Sequence, residues 1–276
     1  MIEKKILIRR LMFAVYFIAA FLFFLFVLFP FDHIKTRLES EVRSRTSLEL
    51  TVARITPRFV NRFVLSDVVL SDRQGKVLFE SPSMTTTLSL LSLLRGGVSV
   101  TLTSRAYGGQ LLIKMQQAPG KQYVLVDSEG LDIGGYRLLK DAGFKLTGKI
   151  GGNYEMTGDS GKGRIWVKDI ASRQLAVKGF AVPDLNFDKG WLDLDVKGDR
   201  LVIRKLELDG KDLAVRAIGD LVMREQGVLN ITIRLKPSER MAHEQAAMFS
   251  LLKDRDPDGY YQIKLGGTVA NPLPMF

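Results

Sequence analysis

The chain has no cysteine. Disulfides, Cys-ligated metal sites and thiol catalysis are therefore excluded. An oxidising compartment remains open to it, because such a compartment permits disulfides without requiring them. Histidine is nearly absent as well, with only His33 and His243 in 276 residues. Two residues so far apart in the chain form no histidine metal cluster, and a serine nucleophile would have few bases to draw on. Lys/Arg blocks are also missing. The formal charge is +10, and the first ten residues supply +3 of it. The rest is spread thinly, without the basic patch and interleaved aromatics that nucleic acid requires. A diffuse positive surface suits anionic lipid headgroups better.

Charge is absent altogether from Leu11 to Phe31, a run of 21 residues. At about 1.5 Å per residue, some 20 helical residues cross a bilayer core of about 30 Å. A secretory signal has a shorter apolar core and ends at a small-x-small site. Here Ala19-Ala20 lies mid-run, and the run leaves through Leu28, Phe29, Pro30 and Phe31. The segment reads as an uncleaved membrane anchor, with Leu11, Phe17, Phe21, Phe24 and Phe29 among its anchoring residues. Lys4, Lys5, Arg9 and Arg10 precede it against the single acid Glu3, which keeps that end cytoplasmic. The expected organisation is a cytoplasmic tail over residues 1–10, a transmembrane anchor over 11–31 and an exported domain over 32–276. In a Gram-negative cell that domain is periplasmic and the anchor sits in the inner membrane.

After the anchor, Ile34 to Leu50 begins as a helix, with Ile34, Leu38 and Val42 on one side and several i, i+4 ion pairs. It is expected to cap the end of a sheet. From about residue 50 the period changes to two. Val98, Val100 and Leu102 alternate with Ser99, Thr101 and Thr103. Ile165 and Val167 alternate with Arg164, Trp166 and Lys168, and Leu229, Ile231, Ile233 and Leu235 with Asn230, Thr232 and Arg234. Tyr261, Ile263 and Leu265 oppose Gln262 and Lys264. Each strand thus has one apolar side. Turn signals fall between the runs at 73–75, 118–120, 158–163, 208–210 and 256–259. The pattern predicts a mainly β, hairpin-rich antiparallel sheet.

Short helices are expected over Leu88–Gly97, over Gly134–Gly143 and from a Ser238 cap to Asp254. Glycines inside TGKIGGNYEMTG, AVRAIGDLVM and QIKLGGTVANP mark bends that would curve the sheet. A long sheet with one apolar face must close, be sandwiched or accept a ligand. The sequence leaves all three open.

Catalytic motifs dissolve on inspection. GDSGK at Gly158–Lys162 has the outline of a serine-protease turn but lacks a histidine partner, and it fails the phosphate-loop pattern at Met156 and Gly163. Asp184, Asn186 and Asp188 match the start of a calcium loop, but Lys189 stands where glycine is needed and Asp195 where a bidentate Glu is usual. Trp166 and Trp191 read as strand-packing residues. No catalytic residue, cofactor or metal is expected, and the chain reads as a non-enzyme.

Three stretches together resemble a family. One is the anchor with its amphipathic continuation into LELTVARITPRF. Another is FVLSDVVLSDRQGKVLFESPSMTTTLSLLSLLRGG, two strands followed by a Leu-rich segment and a Gly stop. The last is YYQIKLGGTVANPLPMF. The pattern resembles the type II secretion system protein N family (GspN) and is similar to AsmA-like inner-membrane proteins, over nearly the whole chain. The resemblance implies a taco-like curved β-sheet with an apolar groove. It implies either an accessory role among type II secretion components or lipid handling in outer-membrane biogenesis. It carries over no catalytic residue. The chain is shorter than many AsmA-like lipid bridges, so the resemblance does not imply conduction across the whole periplasm.

Overall fold

The computed structural model describes residues 12–13, 16–17, 31–59, 61–141, 143, 145–173, 176–177, 180–181, 183–223, 227–250, 252, 255–268 and 271–275. Of the residues expected to form an anchor, Leu11, Phe21, Phe24 and Phe29 lie outside these. Met12, Phe13, Tyr16 and Phe17 are helical and exposed. Among the described residues no helix is long and apolar enough to cross a membrane.

A helix, α1 (Phe31–Arg45), leads into strands β1 (Leu48–Phe59), β2 (Arg62–Asp72) and β3 (Val77–Leu88). A five-residue helix α2 (Leu90–Leu94) precedes β4 (Val98–Ala106), β5 (Gly109–Ala118) and β6 (Lys121–Asp132). After the short α3 (Arg137–Asp141) come β7 (Lys145–Thr157) and β8 (Ser160–Arg173). The two-residue strands β9 (Ala176–Val177) and β10 (Phe180–Ala181) pair with each other. The chain continues through β11 (Leu185–Lys197), β12 (Arg200–Asp209), β13 (Leu213–Val222) and β14 (Val228–Pro237). Helices α4 (Glu239–Glu244) and α5 (Ala246–Phe249) separate these from β15 (Tyr261–Gly267) and β16 (Pro272–Met275).

Fourteen of the strands form one sheet in chain order, every neighbour antiparallel, and β1 does not pair with β16. The sheet is therefore an open, curved meander and not a closed barrel. Local sequence explains much of the regularity: several hairpin turns carry a positive-φ glycine, as at Gly75, Gly120, Gly158, Gly198 and Gly227.

Helix α1 runs antiparallel to β1 along its free edge. Lys35 Nζ donates to the Ala53 carbonyl (3.4 Å), Glu39 Oε1 accepts the Val52 N–H (3.0 Å), and Arg43 pairs with Glu49 (2.8 Å). These side chains satisfy an edge that would otherwise invite another strand. The helix stops at Arg45 and the strand starts at Leu48, so the expected helix over 34–50 ends earlier. At the other edge, Pro272 and Pro274 remove two backbone donors from β16.

The enclosed core is small and lies in two corners. Val52, Leu65, Val68 and Met84 cluster under Leu38 of α1. Phe187, Leu213, Met241 and Phe249 cluster under α4 and α5, the latter ring stacked on Tyr261 at 5.3 Å. Ser238 caps α4 by accepting the Met241 N–H, as its sequence position predicts. The expected single helix is broken at Gln245 (φ −114°, ψ 31°). Eight residues along an unbroken helix would leave Met241 and Phe249 about 80° apart; the break lets both turn into the same corner.

Candidate functional site

Between the two corners the apolar side of the sheet is uncovered. The register aligns Leu102, Ile113, Val126 and Tyr154 across β4 to β7. The row passes Gly163 to Leu194 and Ile203, then Gly219 to Ile231 and Leu265. A parallel row runs from Leu131 and Ile150 through Val167, Gly190 and Leu208 to Val215 and Leu235. Most of these side chains are half-buried, shielded by neighbours in the sheet and by no second layer among the described residues. The accessible surface of the chain is 19123 Å². A compact monomer of 30.9 kDa exposes about 12,000 Å².

Several polar groups on this side bond within the sheet, while the Thr86 hydroxyl, opposite Leu102, is buried with no partner among the described residues. Ser81 and Ser104 hydrogen bond to each other at 2.6 Å, and Ser128 Oγ donates to the Gly152 carbonyl (3.3 Å). The face therefore offers hydrocarbon and few free hydrogen-bonding groups.

The opposite side is laced with cross-strand ion pairs. Arg164 Nε and Nη2 donate to Asp193 at 2.5 and 3.0 Å. Arg204 meets Asp195 at 2.7 Å, Arg200 meets Asp220 at 3.2 Å, and Arg216 bridges Asp209 and Glu207 at 2.5 and 3.3 Å. The Arg164 guanidinium holds the Asp193 carboxyl below the usual carboxylate range. The N–H of Tyr260, with help from Arg234, does the same for Asp256. Trp166 and Trp191 stand directly opposite each other on this polar side, half-buried in the sheet as their alternation predicts.

The rejected motifs find ordinary roles. GDSGK is the β7–β8 hairpin, with Gly158 at φ 57°. His33 lies in α1 and His243 in α4. Asn186 and Asp188 lie in the extended strand β11. The Asn186 side chain accepts from Arg173 (2.7 Å), which also lies 3.7 Å from Asp184. Among the described residues no group of acids and histidines could hold a metal ion.

The glycine bends fall where the sequence places them. Gly148, Gly219 and Gly267 have φ of 126°, 151° and 81° inside or at the end of strands. Residues of the face that alternation could have singled out but did not are Leu111, Ile113 and Met115 of β5 and Val124 and Val126 of β6. Their signal is the same period of two.

No family model, no curated protein and no solved structure matches this chain.

Proposed function

We propose that the chain is a non-enzymatic protein held in the bacterial inner membrane by Leu11–Phe31, whose periplasmic sheet takes lipid acyl chains along its uncovered apolar side. The observation that carries this reading is the unbroken apolar register from Leu102 to Leu265. It crosses ten strands, about 45 Å at the usual strand spacing. A soluble monomer rarely leaves so large an apolar area without a ligand or partner. Both free edges are blunted, one by α1 and one by prolines, so the sheet is not arranged to recruit a further strand. Phe13 and Phe17, each helical and exposed, agree with an anchor, since lipid relieves the cost of that exposure.

A second reading, an accessory type II secretion component acting through protein contacts, is favoured by the polar side. There the Trp166–Trp191 pair sits among arginines, the residue types that dominate protein interfaces. This reading agrees with the GspN resemblance of the sequence.

One experiment separates the two. A benzoyl-phenylalanine is placed at Ile113, Leu194 or Trp191 of the full chain, and cells with radiolabelled phospholipid are irradiated. The lipid reading expects labelled adducts at Ile113 and Leu194 and none at Trp191. Protein adducts at Trp191 containing secretion subunits, with no lipid at Ile113 or Leu194, would replace it with the second reading.

A further inference from the structure

The hairpin ends on one side of the sheet are tied into a continuous rim. Backbone hydrogen bonds run from Leu88 N to Asn61 O (2.8 Å), Gly158 N to Gln122 O (3.0 Å), Gly198 N to Asp159 O (2.8 Å) and Met223 N to Asp199 O (2.6 Å). Exposed large apolar residues gather on it. Beyond residue 31, twelve such residues are exposed among those described, and nine belong to this rim. Helix α2 contributes four, with Leu91 56% and Leu94 85% exposed; Phe59 stands in the adjacent β1–β2 turn, and Met223 and Val228 stand further along the rim, in the β13–β14 turn. A five-residue helix with no buried residue gains nothing from packing on its own sheet.

The direction of α1 selects the occupant. Lys35 lies beside Ala53 and Arg43 beside Glu49, so the start of α1 points toward the end of β1 at Phe59, which is on this rim. The 21 uncharged residues Leu11–Phe31 run directly into that start. Charge agrees, since Arg58, Arg62, Arg95 and Lys121 are exposed along the same rim, whose described turns carry only Asp159 and Asp199 as acids. Apolar tips ringed by cations suit the interface of an anionic bilayer.

We infer that this rim, with α2 as its deepest element, rests in the headgroup–acyl boundary of the bilayer that holds the anchor, so that the apolar face opens directly onto the membrane surface. The inference rests on the anchored reading above. It differs from it in placing a second, interfacial contact about sixty residues beyond the end of the anchor segment.

The cysteine-free sequence makes the test clean. Single cysteines at Leu94, at Lys76 on the opposite rim and at Phe21 in the anchor are spin-labelled in the full chain, reconstituted in phosphatidylethanolamine–phosphatidylglycerol vesicles. Collision with oxygen is compared with collision with a water-soluble nickel chelate. The expected result is a label at Leu94 that favours oxygen, as Phe21 does, while Lys76 favours nickel. A Leu94 label as open to nickel as Lys76, with Phe21 still in lipid, overturns the rim contact and leaves the anchor standing. Nickel access at both Leu94 and Phe21 overturns both.

Discussion

Gly148 and Asp169 meet across the β7–β8 ladder at a bulge where both residues have positive φ, 126° and 52°. A Cβ on Gly148 would lie 2.6 Å from the Asp169 carbonyl oxygen and 2.9 Å from Ile170 Cα, both backbone atoms that cannot swing aside. Gly148→Ala is therefore expected to destabilise the fold by about 1–3 kcal/mol through strain and crowding. Asp169→Gly should be neutral or slightly stabilising, because it relieves a left-handed non-glycine position. Urea unfolding of the two variants gives the comparison. Equal losses from both would show that the bulge is not what constrains this position.

Such bulges explain where the sequence stopped being readable. Alternation along β4, β8, β14 and β15 gave the apolar side of each strand directly. In β2, however, Leu65 and Val68 are both buried although three residues apart, because Asp67 (φ 49°) flips the face between them. The same shift puts Ile203 and Leu206 of β12 on one side. A strict period of two assigns one member of each pair to the wrong face. The glycine of AVRAIGDLVM signalled a bend, but nothing local marked Asp67. Whether a second layer covers the apolar side is a tertiary fact. The amino acids of a half-covered strand and of a sandwiched one are alike, so closing, sandwiching and ligand binding stayed equivalent until the register showed an open sheet.

If acyl chains lie on the apolar side as proposed, a cation placed there should expel them. Ile203→Lys puts a charge in the middle of the register row, beside Leu194 and Gly219. Acyl chains pay desolvation of that charge, and the yield of lipid adduct at Ile113 is expected to fall roughly tenfold, equivalent to about 1.4 kcal/mol at the contact. The control Lys205→Gln, on the polar side next to Asp193, should leave the yield unchanged. Circular dichroism confirms that both variants keep the sheet. An undiminished yield for Ile203→Lys would show that lipid does not lie on this row.

The corner under α4 and α5 holds one of the two buried apolar clusters among the described residues, so truncating a large side chain there should cost more than on the open face. Phe249 is 3% exposed and stacks on Tyr261. Phe249→Ala is expected to cost about 3–5 kcal/mol. Leu194→Ala, on the half-buried row, should cost clearly less, because a side chain already partly in contact with solvent leaves no sealed cavity. Chemical denaturation of the pair, with matched m values, tests this. A Leu194→Ala loss as large as that of Phe249→Ala would mean that the row is enclosed after all.

Acid should loosen the sheet from its polar side. The carboxyl groups of Asp193 and Asp256 are held below their ordinary range, the first by the forked donation of Arg164, the second by the Tyr260 N–H and Arg234. In the folded chain they let go of their protons at a lower pH than in the unfolded chain. Between those two values the unfolded chain binds more protons, so stability rises with pH there and is lost as pH falls through the folded values. Above the ordinary aspartate value of about 3.9 the contribution is fully present. The thermal midpoint is thus expected to hold from neutrality to about pH 5 and to drop below about pH 4. Asp193→Asn removes one of the two groups, so its midpoint should start slightly lower at neutral pH and converge on the parent in acid. Both pairs sit at the surface, so about 1 M salt, where the Debye length is near 3 Å, should shrink the difference at neutral pH. An Asp193→Asn midpoint that tracks the parent with a constant offset from pH 7 to pH 3 would show that the Arg164 fork contributes nothing to the acid response.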